Sequence, residues 1–227
     1  MKKKLLAAIL TGMMLLQAAA TGVFAAEAAE ETVEEAEIEE ADSRFATGTV
    51  DGQTYTQDFF GFSVEVDGDW VFANEEQLEA MGNSLMELGT EEVKDALDSG
   101  SSYLDMYAEN GSTFQTVNVA ISKLPMLEAL QFLNDQSKAV GAMLDALKMQ
   151  IEQMGFSEAE VTQGETEFLG ETVPCVQIVS YPEQAGGEIA LYQTQVYIQS
   201  GSYLCTLTAS SYMDDTTQDI LAFCSEI

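Results

Sequence analysis

The chain of 227 residues contains no histidine, only eight lysines and arginines, three cysteines and one tryptophan. Without histidine there is no Ser-His-Asp or Cys-His pair, so the commonest ways of activating a nucleophile are excluded. Zinc sites built on imidazole are excluded with them, and three dispersed cysteines make a poor thiolate site. The scarcity of cations beside 39 acidic residues gives a formal charge of −31. Such a surface repels nucleic acid, whose binding rests on Lys and Arg displacing counterions. Anionic membranes and anionic wall polymers are repelled in the same way. Divalent cations and basic peptides are the partners that the charge permits. Carboxylates, tyrosines and a few lysines remain for catalysis, but with 39 acids, adjacent carboxylates arise by chance. No residue is singled out as catalytic, cofactor-binding or metal-binding.

The odd number of thiols, Cys175, Cys205 and Cys224, leaves at least one unpaired, and there is no C-x-x-C motif. Their placement in strand-like and helix-like segments suits buried free thiols acting as small apolar side chains.

What is present begins with Lys2-Lys3-Lys4, an apolar run from Leu5 to Leu16, and a small-residue stretch ending Val23-Phe24-Ala25. That order of charged, apolar and small-x-small segments is a secretory signal peptide over residues 1–25, cut after Ala25. Thr11, Gly12, Gln17, Thr21 and Gly22 dilute the stretch as a membrane span. No cysteine stands at the cut to accept a lipid. The expected product is therefore extracytoplasmic and not stably inserted in a membrane. It has 202 residues and a formal charge of −34, because the three leader lysines are gone. Residues 26–44 read as an acidic disordered spacer. Glu27 to Asp42 carries nine acids in sixteen residues with no repeating apolar face.

A single domain is expected from Phe45 to Ile227. Asp51-Gly52 marks a tight hairpin between Thr49-Val50 and Thr54-Tyr55. Phe62, Val64 and Val66 alternate with Ser63 and Glu65, a half-buried strand that turns at Asp67-Gly68-Asp69 into Trp70. Asn74 with Gln77 forms a capping box for a helix whose stripe is Leu78, Met81 and Leu85. A short helix is expected near 91–98. A hairpin with Asn110-Gly111 at its turn pairs 103–108 with 114–122, and Val117, Val119 and Ile121 share one face. Val140, Met143, Leu144, Leu147, Ile151 and Met154 fall at helical spacing over 135–154, ended by Gly155. The methionines there read as core filler. Strands follow over about 158–163, 165–169, 171–181, 187–199 and 203–209, with Gly201 as the last turn. Thr216 to Cys224 reads as a short closing helix. Hairpins with helices inserted in two places argue for an α+β domain, an antiparallel sheet covered by helices.

Three features carry alternatives to a non-catalytic binding or accessory domain. Asp67-Gly68-Asp69 and Asp214-Asp215 are oxygen-rich turns that suit part of a calcium site, although Asp-Gly is also ordinary turn chemistry. A pair of carboxylates across a cleft would suit a glycan hydrolase. Tyr192, Tyr197, Tyr203 and Tyr212 would form a binding patch on an uncovered sheet face, or pack under helices and along the sheet edge.

The element order resembles the Mog1/PsbP-like sandwich over roughly residues 45–227. The resemblance rests on Phe60-Gly61-Phe62-Ser63-Val64-Glu65-Val66 running into Trp70, on Val117-Asn118-Val119, on the long mid-chain helix, and on Ile220-Leu221-Ala222-Phe223. Asp67-Gly68-Asp69 stands where a proline commonly precedes that tryptophan. The resemblance implies an antiparallel sheet between helices and a role in binding or stabilising a partner, without naming the partner or a functional residue.

Overall fold

The computed structural model describes residues 38, 41–88, 99, 101–182 and 188–227. The leader, most of the acidic spacer and the helix expected near 91–98 lie outside the described residues. The packing reaches N-terminal to Phe45. Ile38 is buried in the core, and Asp42 accepts hydrogen bonds from the Ser202 backbone N–H at 2.7 Å and its hydroxyl at 2.6 Å.

Two antiparallel sheets form the domain. The smaller has the order β1-β2-β3-β11, from Thr49–Asp51, Thr54–Gln57, Phe62–Glu65 and Cys224–Glu226. The larger has the order β4-β5-β6-β10-β9-β8-β7. Its strands are Val71–Phe72, Ser102–Asn110, Gln115–Lys123, Tyr203–Tyr212, Leu191–Ser200, Glu171–Pro182 and Phe156–Phe168. The helices are α1 (Glu75–Leu88), α2 (Met126–Asn134), α3 (Gln136–Gln153) and α4 (Thr217–Leu221). The α+β architecture is thus as expected, with helices and a second sheet covering the larger one.

Local chemistry places most of these elements. Asp51 pairs with Thr54 across a two-residue turn, and Gly52 supplies its positive φ of 62°. The Asn74–Gln77 capping box is reciprocal: each backbone N–H meets the other's side-chain oxygen at 2.9 Å. Asp135 caps α3 by accepting from the Lys138 N–H at 2.9 Å, and Gly155 follows the helix at φ 87°. Val140, Met143, Leu147 and Ile151 are buried along the face that the spacing picks out. Each such side chain contributes about 1.5–3 kcal/mol on burial.

The strand pattern sorts the core into two halves. Val117, Val119, Ile121, Cys205, Leu207 and Ala209 project toward the small sheet and α4, joining Phe62, Val64, Trp70, Ile220 and Leu221. On the opposite face Val176, Ile178, Leu191 and Leu204 meet α2 and α3.

Three expectations are corrected, and one helix was not foreseen. Residues 158–163 and 165–169 are one strand, β7. Gly164 does not turn the chain; it sits opposite Cys175, where an added Cβ would lie 3.0 Å from Gln177 Oε1. The irregularity comes earlier, between Ser157 and Glu160, where Glu158 has φ 52°. Cys224 does not end a helix. It starts β11, which pairs antiparallel with β3 and places Ser225 Oγ 3.0 Å from Ser63 Oγ. Helix α2 was not foreseen, although Met126, Ala129, Leu130 and Leu133 fall at helical spacing; Ala129, Leu130 and Phe132 are buried while Leu127 and Leu133 are exposed. The domain's packed part also starts before Phe45, at the Ile38 and Asp42 contacts above.

Candidate functional site

β5 is not regular. Its register with β6 shifts between Leu104 and Met106, so Asp105 is left without a cross-strand partner. This bulge turns a carboxylate toward the N-terminal hairpin. Asp105 Oδ2 accepts from the Gly48 backbone N–H at 2.9 Å, from Gln57 Nε2 at 2.9 Å and from the Tyr55 hydroxyl at 2.5 Å. Tyr55 and Gln57 have no exposed surface, so these bonds fix the hairpin onto the large sheet. Burial first, and then the charge of Asp105, raise the Tyr55 pKa far above its ordinary value. Burial followed by the same carboxylate also raises that of Tyr103. Gly48 is required by close approach, because a Cβ there would collide with the Tyr55 ring.

Asp105 lies in the lining of an open groove of about 670 Å³ between β1 and the segment from β4 to α1. One wall is Gly48, Val50 and Gly52; the other is Trp70, Val71, Phe72 and Leu78. Val50 is 47% exposed and Val71 64%, so apolar side chains stand in the mouth. Trp70, the only tryptophan, is held edge-on against Phe223 at 5.4 Å between ring centres. β1 is an outer strand of its sheet, with no strand beyond it among the described residues. A smaller groove of about 420 Å³ runs between α4, β11 and the β7–β8 turn, with Glu167, Gln218 and Glu226 in its lining.

A second unusual surface lies on the helix-covered face of the large sheet. The register aligns Tyr107, Asn118, Thr208 and Gln195 in one cross-strand row, and Glu109, Thr116, Ser210 and Gln193 in the next. Six of these, Thr116, Asn118, Gln193, Gln195, Thr208 and Ser210, are each at most 2% exposed. Some are satisfied within the row: Gln193 Nε2 donates to Ser210 Oγ at 3.1 Å, and the Tyr107 hydroxyl to Glu109 Oε2 at 3.1 Å. Thr116 Oγ1, Ser180 Oγ and the Tyr212 hydroxyl are buried without a hydrogen-bond partner among the described residues. α1 covers the row at Tyr107 through Leu78 and Met81.

The residues considered from the sequence fall elsewhere. Asp67 Oδ1 accepts from the Asp69 N–H at 3.1 Å, an Asx turn at the surface. Asp215 Oδ1 accepts from the Thr217 N–H at 3.1 Å and hydroxyl at 2.7 Å, fixing the start of α4. Among the described residues no group of three or more Asp, Glu or Cys side chains is placed to hold a metal ion. The four tyrosines do not form one patch. Tyr197 and Tyr212 share the Leu204 face, while Tyr192 and Tyr203 lie on the other. Tyr197 packs on Phe132, and Tyr203 stacks on Phe45 with ring centres 3.9 Å apart. All three cysteines are free; Cys175 and Cys205 are buried, and burial pushes the Cys224 thiol up to about 12.

Asp105 was missed because its neighbours Gly48, Tyr55 and Gln57 lie about fifty residues away. The single local signal was an acid within the otherwise apolar Tyr-Leu-Asp-Met-Tyr strand. The buried polar rows had a clearer one: in T-V-N-V and T-L-T-A polar and apolar residues alternate. No helix among the described residues is long and apolar enough to cross a membrane. Compared with known proteins, the chain matches no protein family and no curated protein.

Proposed function

We propose that this protein is an exported, non-catalytic binding or accessory domain of the Mog1/PsbP-like kind, and that it docks its partner in the groove beside Trp70. Export is supported by the charged, apolar and small-residue order of residues 1–25. The family reading is supported by a strand entering Trp70, the long helix after a β-hairpin, and an antiparallel sheet with helices packed on both faces. A binding role is supported by the lack of histidine together with a surface concavity.

The observation that carries the reading is the groove: an open concavity of about 670 Å³ whose lining includes the exposed Val50 and Val71 and the buried Trp70. Apolar side chains cost little where they are scattered, but gathered around a concavity they mark a contact surface. The test is site-specific photo-crosslinking in the cells that make the protein. A photoreactive residue at Val71 is expected to give one discrete adduct, and one at Leu133, which is 54% exposed on α2, to give none. Equal adducts from both positions, or none from Val71, would overturn the docking site.

A further inference from the structure

The chemistry of the groove narrows what it takes, on the reading that it is the docking site. Its lining contains two carboxylates, Asp105 and Glu75, and no lysine or arginine. The two oxygens of Asp105 are used unequally. Oδ2 collects all three hydrogen bonds, from Gly48, Tyr55 and Gln57, whereas Oδ1 receives none from the described residues. A carboxylate offers about four lone-pair acceptor sites over its two oxygens. The three bonds on Oδ2 fix the group's orientation, so its remaining acceptor capacity is presented in a defined direction. A ligand that supplies an N–H donor with positive charge completes it, and such charge-assisted bonds are about twice as strong as neutral ones.

The walls add two more requirements. Val50, Val71 and Leu78 line the same groove and offer apolar contact. β1 contributes Val50 to the lining, flanked by Gly48 and Gly52, and has no strand beyond it among the described residues. An outer strand edge beside alternating apolar contacts is the geometry that an extended peptide uses when it adds to a sheet. The overall charge of the chain supplies long-range selection: a formal −31 attracts cationic chains and repels anionic ones. The start of α1 at the groove does not oppose this, because the capping box satisfies the Asn74 and Gln77 N–H groups and Glu75 and Glu76 occupy its first turn.

From this we infer that the Trp70 groove binds an extended basic peptide, placing an apolar residue against Val50 and Val71 and the adjacent Lys or Arg on Asp105.

The experiment titrates the full exported protein with three synthetic peptides: acetyl-Leu-Lys-Leu-Lys-Leu-amide and its counterparts with Ser or Glu in place of Lys. Calorimetry reports affinity and Trp70 emission reports the site. The Lys peptide is expected to bind and shift the Trp70 emission, and the Glu peptide to do neither. Asp105→Asn removes one charge of 39 acids, so it tests the site and not the general field. It should weaken the Lys peptide by about tenfold or more, the scale of one charge-assisted hydrogen bond. Val71→Ser and Glu75→Gln, both at exposed positions, should weaken it by smaller factors and keep the test valid if Asp105→Asn does not fold. Equal binding of the Lys peptide to wild type, Val71→Ser and Glu75→Gln would overturn the inference, as attraction by the overall charge alone. Equal binding of the Ser and Lys peptides with a Trp70 response would overturn the cationic requirement while leaving the groove as the docking site. Trp70 is 3% exposed, so its emission reports the wall behind the groove; binding of the Lys peptide with no Trp70 response and no loss in Asp105→Asn would remove the groove itself.

Discussion

Replacing Asp105 with alanine tests whether one carboxylate joins the N-terminal hairpin to the large sheet. The substitution takes away the acceptor for three donors: the Gly48 N–H, the Tyr55 hydroxyl and Gln57 Nε2. Tyr55 and Gln57 are fully buried, so their polar atoms have no direct access to water in exchange. A hydrogen bond to a charged group is worth about 1.5–3 kcal/mol, and an orphaned buried donor costs about 1–3 kcal/mol. The three losses are not additive, and Asp105 itself is only partly buried, so water enters part of the space. A net loss of about 3–5 kcal/mol follows, a large share of the 5–15 kcal/mol that holds a typical domain. Asp105→Asn keeps an acceptor oxygen in place and should cost about 1–2 kcal/mol, since only the charge assistance is lost. Urea denaturation followed by far-ultraviolet circular dichroism measures both. A loss under about 1 kcal/mol for the alanine variant would refute the reasoning, because the three bonds would then be replaceable by solvent.

Other substitutions probe separate parts of the structure. Thr116→Val removes a buried hydroxyl that has no partner among the described residues, so the fold should gain up to about 1 kcal/mol in the same denaturation assay; a loss would mean that the hydroxyl is satisfied in solution. Burial raises Glu128 from 4.5 to about 7, so the folded state holds its proton more tightly than the unfolded one. Its contribution is favourable to folding at low pH and is lost as pH rises from 4.5 through about 7; Glu128→Gln should therefore stabilise the protein above pH 7 and leave it unchanged below pH 4.5, as thermal unfolding across pH will show. Gly201→Ala places a side chain at φ 59° against Asp42 and Ile38, which should cost at least about 1 kcal/mol and speed proteolysis within residues 38–45.

Much of the local structure was legible because local chemistry decides it. The Asp51-Gly52 hairpin, the Asn74–Gln77 box and the α3 period each depend on residues within four positions of one another. β11 was not legible, since three residues have no period and Cys224 to Glu226 become a strand only because β3 offers an open edge 160 residues earlier in the chain. Gly164 misled for a related reason: its meaning is set by Gln177 across the sheet and not by its neighbours. The burial of the polar rows had no sequence signal, because alternation reports chemistry and not coverage. Thr116, Asn118, Thr208 and Gln195 are polar and yet buried. The candidate site was the least legible part. Trp70 and Val71 were visible as residues, but the groove exists only where the β5 bulge, the β1 edge and the turn before α1 converge.

Hydrogen exchange of the full chain with and without saturating acetyl-Leu-Lys-Leu-Lys-Leu-amide tests the central claim most directly. A peptide seated in the Trp70 groove slows exchange within residues 48–53 and 70–78 and leaves the acidic outer strand β7 unchanged. Protection spread over β7 and the other acidic surfaces, with none at residues 48–53, would contradict the claim.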